Sequence, residues 1–417
     1  MPILMSLVGM MVLIALAMLL SNNRRKINRR TVLLAFALQA TIAALVLYVP
    51  AGGDFLDKVA AGVRHVINYA EEGTIFVFGG STKEILGFTI ALNVLPVIVF
   101  FSALMATLYY LGIMQRVVAF IGGGLHRLLQ TSRTESMSAA SNIFVGHTEA
   151  PLVVKPYLAK MSESELFAVM TGGCATIAGA VMAAYASMGV DLKFLVAASF
   201  MAAPGGLLMA KIIKPETDVR EFEAESEPEN DEDKPVNIFD AVGSGALVGL
   251  KLALNVGAML LAFVAMIALL NGLISGVAGW FGYEDITLQF FLGQAFAPLA
   301  FVLGVPWSES VVAGNLIGEK FVINEFYAYL HFVQIDEVTG VSLKDTLSAH
   351  TQAIVTFALC GFANLSSIAI LMGGLGGIVP KRRHDIARMG LLAVTAGMLA
   401  NLMNAALAGF FLSLQGL

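Results

Sequence analysis

The chain has 417 residues, 58% of them hydrophobic and only 13% charged, with a formal net charge of −5 and a mean hydropathy of +0.80. Soluble domains carry roughly a quarter charged residues, so this composition excludes an ordinary soluble protein and gives no basic surface for nucleic acid. What remains is a polytopic α-helical membrane protein. Its 41 glycines suit lipid-embedded helices, where small residues let backbones approach closely. Cys174 and Cys360 lie far apart in sequence and offer neither a disulfide framework nor a metal-ligand spacing.

In chain order, apolar runs near 2–20, 31–50, 88–112, 246–272, 286–304, 352–376 and 388–412 reach about the 20 residues that cross a bilayer. A further long apolar region covers 165–213. The first run is a retained span and not a secretory signal, because its basic cluster (Arg24, Arg25, Lys26, Arg29, Arg30) follows it. That cluster, with Arg116, Arg127, Arg133, Lys381, Arg382 and Arg383 in later loops, places those loops in the cytoplasm and both termini outside. Residues 216–233 are opposite in character, with ten acidic residues against one basic, Arg220. The span count puts this stretch outside, as a solvated linker between two halves. Residues 55–70 and 115–130 mix charged and apolar positions at helical spacing, and read as helices lying in the interface. His65, His126, His331, His350 and His384 read as surface residues, and Trp280 and Trp307 as interfacial anchors.

Four segments carry polar residues or helix breakers at membrane depth. Asn142 to Pro151 (NIFVGHTEAP) lies between small-residue stretches too short to span, which predicts a re-entrant hairpin with its tip near Gly146. The others are Gly172–Gly179 (GGCATIAG), Asn324-Glu325 within 306–330, and Cys360–Ser367 (CGFANLSS). Laid over each other, GGCATIAG and CGFANLSS match glycine with glycine, alanine with alanine and Thr176 with Asn364. Each follows a buried-looking acid, Glu149 or Glu325. Interrupted hydrophobic segments at matching places in two halves point to the site of a transporter. Unwound backbone at that depth survives only where protein or water satisfies it, and an acid there costs about 2.5–3.5 kcal/mol on insertion scales. Exposed carbonyls, with Asn, Thr and Ser oxygens, suit a small hard cation such as sodium, or a proton relay through the carboxylates. No nucleophile–base pair, metal spacing or phosphate loop is present, so the pattern is not that of an enzyme.

The segments NIFVGHTEAP, Asn324-Glu325-Phe326 and Gly361–Ser367 (GFANLSS) resemble the signature motifs of the concentrative nucleoside transporters, in particular their bacterial members. The resemblance covers nearly the whole chain. It implies eight transmembrane helices, two opposed re-entrant hairpins, discontinuous and interfacial helices, an inverted repeat and a homotrimer. It also implies sodium-coupled symport of nucleosides such as uridine, inward across the bacterial inner membrane. On matching positions, sodium would be shared by Asn142, Val145, Thr176 and Ile177, chiefly through backbone, with the Thr176 hydroxyl added. The base would meet His147, Thr148 and Glu149, with Val181 and Leu252 as apolar walls. The ribose would be held by Glu325, Asn364 and Ser367, with Phe362 against the sugar. Two positions depart from the family pattern: His147 stands where Gln is usual, and Thr176 replaces the commoner Ser.

The resemblance also divides the chain. Residues 1–112 would be mainly scaffold, 113–213 the first hairpin and broken fourth span, and 214–236 an acidic extracytoplasmic loop. Residues 237–272 would be the fifth span of the transport region, 273–305 a scaffold sixth span, and 306–417 the second hairpin with the seventh and eighth spans. Two other readings stay open at this point. One is proton coupling with Glu149, His147 or Glu325 as carrier. The other is a passive facilitator, against which the matched halves and buried acids argue.

Overall fold

Helix starts in this protein are set by side chains that satisfy the first free backbone N–H groups. Ser132 with Glu135, and Ser162 with Glu165, form two complete capping boxes. Asn28, Asp191, Asn237, Thr287, Asn324 and Ser348 cap five further long helices and one short one. The computed structural model describes residues 2–80, 88–217, 235–283, 286–335 and 340–416. Among the described residues the regular structure is helical, apart from one isolated bridge between Ile335 and Ser342.

The chain begins with α1 (Pro2–Leu19), α2 (Arg29–Leu47) and α3 (Pro50–Phe78). Helix α3 buries only Leu56, Ala60, Ile67 and Ala70, a one-sided stripe that fits the interfacial reading of 55–70. There follow α4 (Leu95–Tyr110), the similarly one-sided α5 (Ile113–Leu129), and α6 (Arg133–Ser141). Next come α7 (Glu163–Ala175), α8 (Gly179–Ser187) and α9 (Leu192–Ile213). The second half holds α10 (Ile238–Gly279), α11 (Leu288–Val302), α12 (Trp307–Val322) and α13 (Glu325–Val333). It ends with α14 (Ala349–Leu359), α15 (Ser367–Gly373) and α16 (Arg383–Gln415).

Helices α7, α9 and α16 form the buried centre, with Ala and Gly on every face. Helix α10 is peripheral: Gly245 and Gly249 let it sit on α4 so closely that a Cβ on Gly245 would lie 2.5 Å from Ala106 Cβ. Trp280 and Trp307 are exposed, as membrane-surface anchors would be.

Hydrogen bonds between loops sort the two ends of the bundle. At one end Asn22 N donates to Ile213 O (3.0 Å), Ser162 Oγ to Glu216 Oε2 (2.7 Å), and Arg382 Nη1 to Met161 O (2.7 Å). Arg388 and Lys214 both pair with Glu163 there. At the other end Gln415 Nε2 donates to Tyr48 O (3.1 Å), Lys193 pairs with Asp57 (2.9 Å), and Lys344 Nζ reaches Gly189 O (3.0 Å).

Two expectations change. The 165–213 region crosses twice, because the chain turns at Met188–Asp191 with Gly189 at φ +101°. The acidic stretch therefore starts at the same end as the Arg382 loop, not the opposite one; residues 218–234 of it lie outside the described residues. The turn was hidden because both helices are packed by protein on nearly all sides and carry no polar stripe. The 286–304 run is likewise not a span by itself. Helix α11 has 15 residues, and the chain bends by 116° into α12, which packs back on it through Gly293, Gly314 and Gly318. At 1.5 Å per residue, α11 is about 22 Å long against a hydrocarbon layer of about 30 Å.

Candidate functional site

The break between α7 and α8 is made by Thr176, Ile177 and Ala178, whose extended backbone ends α7. Thr176 Oγ1 donates back to Gly172 O (3.0 Å) and so compensates a carbonyl of the last turn. Against this break lies the irregular loop 142–149 that follows α6. Gly179 N donates to Phe144 O (2.9 Å), and glycines make the fit possible. A Cβ on Gly173 would overlap His147 Cβ at 2.6 Å, and one on Gly172 would sit 3.2 Å from Asn142 Nδ2.

Several polar atoms here find no partner among the described residues. Asn142 is buried with both side-chain amide atoms unsatisfied, and so are both ring nitrogens of the buried His147. The carbonyls of Val145 and Ile177 take no hydrogen bond from the described residues. Buried polar groups are ordinarily satisfied, so such a cluster marks a place for a ligand, ion or water. Asn142 Oδ1, the two carbonyls and the Thr176 hydroxyl are neutral hard oxygens, a donor set that fits sodium.

The second half of the site mirrors the first. Helix α14 stops at Cys360, and residues 360–366 are unwound before α15. Gly361 has φ +156°, and a Cβ there would lie 2.3 Å from Asn401 Oδ1. Glu325, capped into place by Asn324 at the start of α13, is 5% exposed. Its carboxylate accepts from Asn364 Nδ2 (2.8 Å) and from the Tyr185 hydroxyl (3.1 Å). Asn364 Oδ1 in turn accepts from Ser367 N (2.9 Å) and Ser366 Oγ (2.6 Å), while Ser367 Oγ donates to Phe362 O (2.5 Å).

The two halves touch. Phe362 N donates to Thr176 O (3.1 Å), and the Phe362 ring meets the His147 ring edge-on at 4.9 Å. Asn142, His147, Thr176, Glu325, Phe362, Asn364 and Ser367 thus form one connected cluster. Val181 is buried one turn before Tyr185 on α8. Thr148 packs its methyl against the Gly374 position.

Two residues stand differently from expectation. Glu149 is exposed in the single chain, on the same loop as the buried His147, with its N–H on Gly146 O (3.0 Å). Leu252 is half-buried on α10, whose main neighbour is α4. Among the surface histidines, His350 is in fact buried, with Nε2 against Gly409 O (3.1 Å) and Ser413 Oγ (2.8 Å).

Sequence reasoning also missed Tyr185, Lys320 and Asn401. Lys320 is fully buried and donates to Ala358 O and Asn401 Oδ1, both at 2.7 Å. Asn401 Nδ2 donates to Ala175 O (2.6 Å) and Cys360 O (2.8 Å), tying the ends of the two half-helices together. A lysine beside Glu319 in a mostly apolar run and an asparagine in mid-span were the available signals.

Two broken helices meeting the loop at 142–149 and the start of α13 around a polar cluster inside the bundle are the arrangement of a secondary transporter. Residues 194–409 match the family described as the Na+ dependent nucleoside transporter C-terminus, and residues 8–81 its N-terminus. Residues 91–191 match a nucleoside recognition gate domain. A nucleoside permease from Helicobacter pylori is 51% identical over 99% of this chain and 98% of its own. A sodium/nucleoside cotransporter from Rattus norvegicus is 37% identical over 97% of this chain and 63% of its own. Among solved structures, CNTnw in an inward-facing substrate-bound state is 55% identical with a TM-score of 0.93, covering 100% of this chain and 99% of its own. A doubly substituted variant of CNTnw in an outward-facing state gives 56% and 0.95, covering 99% of each. The chain belongs to the concentrative nucleoside transporter family. It is a multi-pass membrane transporter and not an enzyme.

Proposed function

We propose that this protein is a sodium-coupled symporter that imports nucleosides across the bacterial inner membrane by alternating access. The observation that carries the reading is the contact between a loop of unpartnered hard oxygens and a carboxylate–amide–hydroxyl clamp. An ion bound at Asn142, Val145, Thr176 and Ile177 would brace the same loop that presents His147 to a base. The ribose hydroxyls would be held by Glu325, Asn364 and Ser367, with the Tyr185 hydroxyl beside the carboxylate. His147, Thr148 and Glu149 would face the base, Val181 and Leu252 would wall it, and Phe362 would lie against the sugar. Occupying the ion site would order the loop and raise nucleoside affinity, which is coupling in its simplest form.

With the loops at the Arg24, Glu163 and Arg382 end in the cytoplasm, both termini lie outside, and Glu216, where the acidic stretch starts, is cytoplasmic. The assembly in this reading is a homotrimer in the lipid bilayer, countable by cross-linking. The decisive experiment is uridine uptake into proteoliposomes with sodium and proton gradients imposed separately. Uptake driven by sodium alone supports the proposal, and uptake driven only by acid pH makes it a proton symporter. Equilibration without accumulation under either gradient would make it a facilitator.

Two substitutions refine the assignment. Thr176→Ala is expected to raise the sodium concentration for half-maximal nucleoside binding about tenfold, the scale of one lost polar contact, while Thr176→Ser keeps it. Equal sodium curves for Thr176→Ala and wild type would remove the hydroxyl from the ion site. His147→Gln is expected to shift relative affinity among uridine, cytidine and adenosine by roughly 3- to 10-fold while leaving the need for ribose hydroxyls intact. An unchanged base ranking would mean that His147 only packs on Phe362.

A further inference from the structure

One buried hydroxyl reaches the Glu325 carboxylate from the other half of the molecule. Tyr185 lies on α8, the half-helix that starts directly after the break at 176–178. Its side chain is fully buried, with the ring centroid 4.5 Å from that of Tyr329 and 5.4 Å from that of Phe326, both on α13. Flanked by these rings, the hydroxyl has little freedom, and it donates to Glu325 Oε1 (3.1 Å). Tyr329 is anchored in turn, because its own hydroxyl donates to Thr356 O (2.7 Å) on α14. Asn364 donates to the other carboxylate oxygen, Oε2 (2.8 Å).

An ionised carboxylate offers about four lone-pair positions, two on each oxygen. Tyr185 and Asn364 take one apiece on different oxygens, so each oxygen keeps room for a further donor. The two adjacent hydroxyls of a ribose are such a pair of donors. Tyr185 and Asn364 also belong to separate elements, α8 and the unwound segment 360–366, and so fix the rotation of the carboxylate from both sides. Helix α8 is itself attached to the 142–149 loop, through Gly179 N on Phe144 O (2.9 Å). Tyr185 stands six residues further on, about 9 Å along a helix axis.

We infer that Tyr185 is a positioning residue: it aims the Glu325 carboxylate at the ribose and ties that aim to ion binding at the α7–α8 break. The inference rests on the sodium-symport reading above. An ion that braces the 142–149 loop against the break steadies α8 with it, and the Tyr185 hydroxyl then holds Oε1 in place. Without the ion the carboxylate loses one of its two guides. The gain in affinity that sodium brings is therefore largest for a sugar carrying both hydroxyls. The backbone bond from Phe362 N to Thr176 O also joins the halves, but it guides the segment of Asn364 and leaves Oε1 untouched.

The test compares uridine with 2′,3′-dideoxyuridine, the latter by competition, with and without sodium. It uses wild type and Tyr185→Phe, which keeps the ring and removes the hydroxyl alone. In wild type, sodium is expected to raise the affinity for uridine about tenfold more than that for the dideoxy sugar. In Tyr185→Phe that difference is expected to shrink to less than about threefold, and uridine affinity at saturating sodium to fall roughly 5- to 20-fold. An unchanged difference in the variant makes the hydroxyl a core hydrogen bond only and overturns the proposal. Equal losses for both nucleosides at every sodium concentration mean that the ring merely supports the site, and overturn it too. Equal gains from sodium for both nucleosides in wild type overturn it without any variant, should Tyr185→Phe not fold. Uridine binding indifferent to sodium in wild type would instead defeat the symport reading. The aiming role is then decided by whether Tyr185→Phe still tells the two sugars apart as wild type does.

Discussion

Glu325→Gln is expected to lower the affinity for ribonucleosides by roughly 10- to 100-fold, because hydrogen bonds to a charged acceptor contribute about 1.5–3 kcal/mol each. The carboxylate sits at the start of α13 with two donors already on it, Asn364 and Tyr185. An ionised carboxylate accepts only, whereas an amide presents one acceptor and one donor group. The amide oxygen would keep Asn364 while the NH2 faces the Tyr185 hydroxyl, which can accept, so the vicinal hydroxyls of a ribose would lose one charged acceptor oxygen. The fold should survive, since Asn364 can still donate to the amide oxygen. Binding of uridine and of a sugar lacking one hydroxyl, measured in both proteins, checks this. A variant that binds uridine normally takes Glu325 out of the sugar clamp, and one that loses discrimination between the two sugars confirms the role.

Gly361→Ala is expected to abolish nucleoside binding and to lower the melting temperature in detergent. Two costs coincide at this position. The backbone is at φ +156°, where a side chain is strained by about 1–3 kcal/mol. The new methyl would also overlap Asn401 at 2.3 Å, and overpacking of a tight interior costs a further 1–3 kcal/mol or so. Asn401 cannot simply move aside, because it holds Ala175 O, Cys360 O and Lys320 at once. Displacing it separates the ends of α7 and α14 and thereby the ion and sugar halves of the site. Gly62→Ala is the control: on α3 its Cβ would meet nothing within 4 Å, and it should leave melting and binding unchanged. Wild-type behaviour of Gly361→Ala would show that the crossing of the broken helices tolerates movement, contrary to this account.

Much of the site was readable because the bilayer penalises polarity. Asn142, His147, Thr176, Glu325, Asn364 and Ser367 stood out as polar residues or helix breakers in apolar surroundings, and the structure draws them into one cluster. The same contrast failed where the interior is protein. The 165–213 region looks like one long apolar stretch because α7, α8 and α9 are buried on all faces, so the turn at Gly189 left only a weak mark. That turn puts the start of the stretch, Glu216, at the same end as the Arg382 loop.

Composition, hydropathy and the positions of the breakers were thus settled by the sequence, since each reflects a local transfer cost that any fold must meet. The tertiary structure decided which partners the buried polar groups find. Asn401 lies 226 residues from the Ala175 carbonyl it holds, and Lys320 lies 38 residues from Ala358. Glu149 and Glu325 look alike as acids among apolar residues, yet Glu325 alone is enclosed by Tyr185 and Asn364, while Glu149 stays open to the surface of the chain. Hydrogen bonds between distant residues carry no local signature. Only packing, which fixes distance and exclusion of water together, decides which partners such a residue meets.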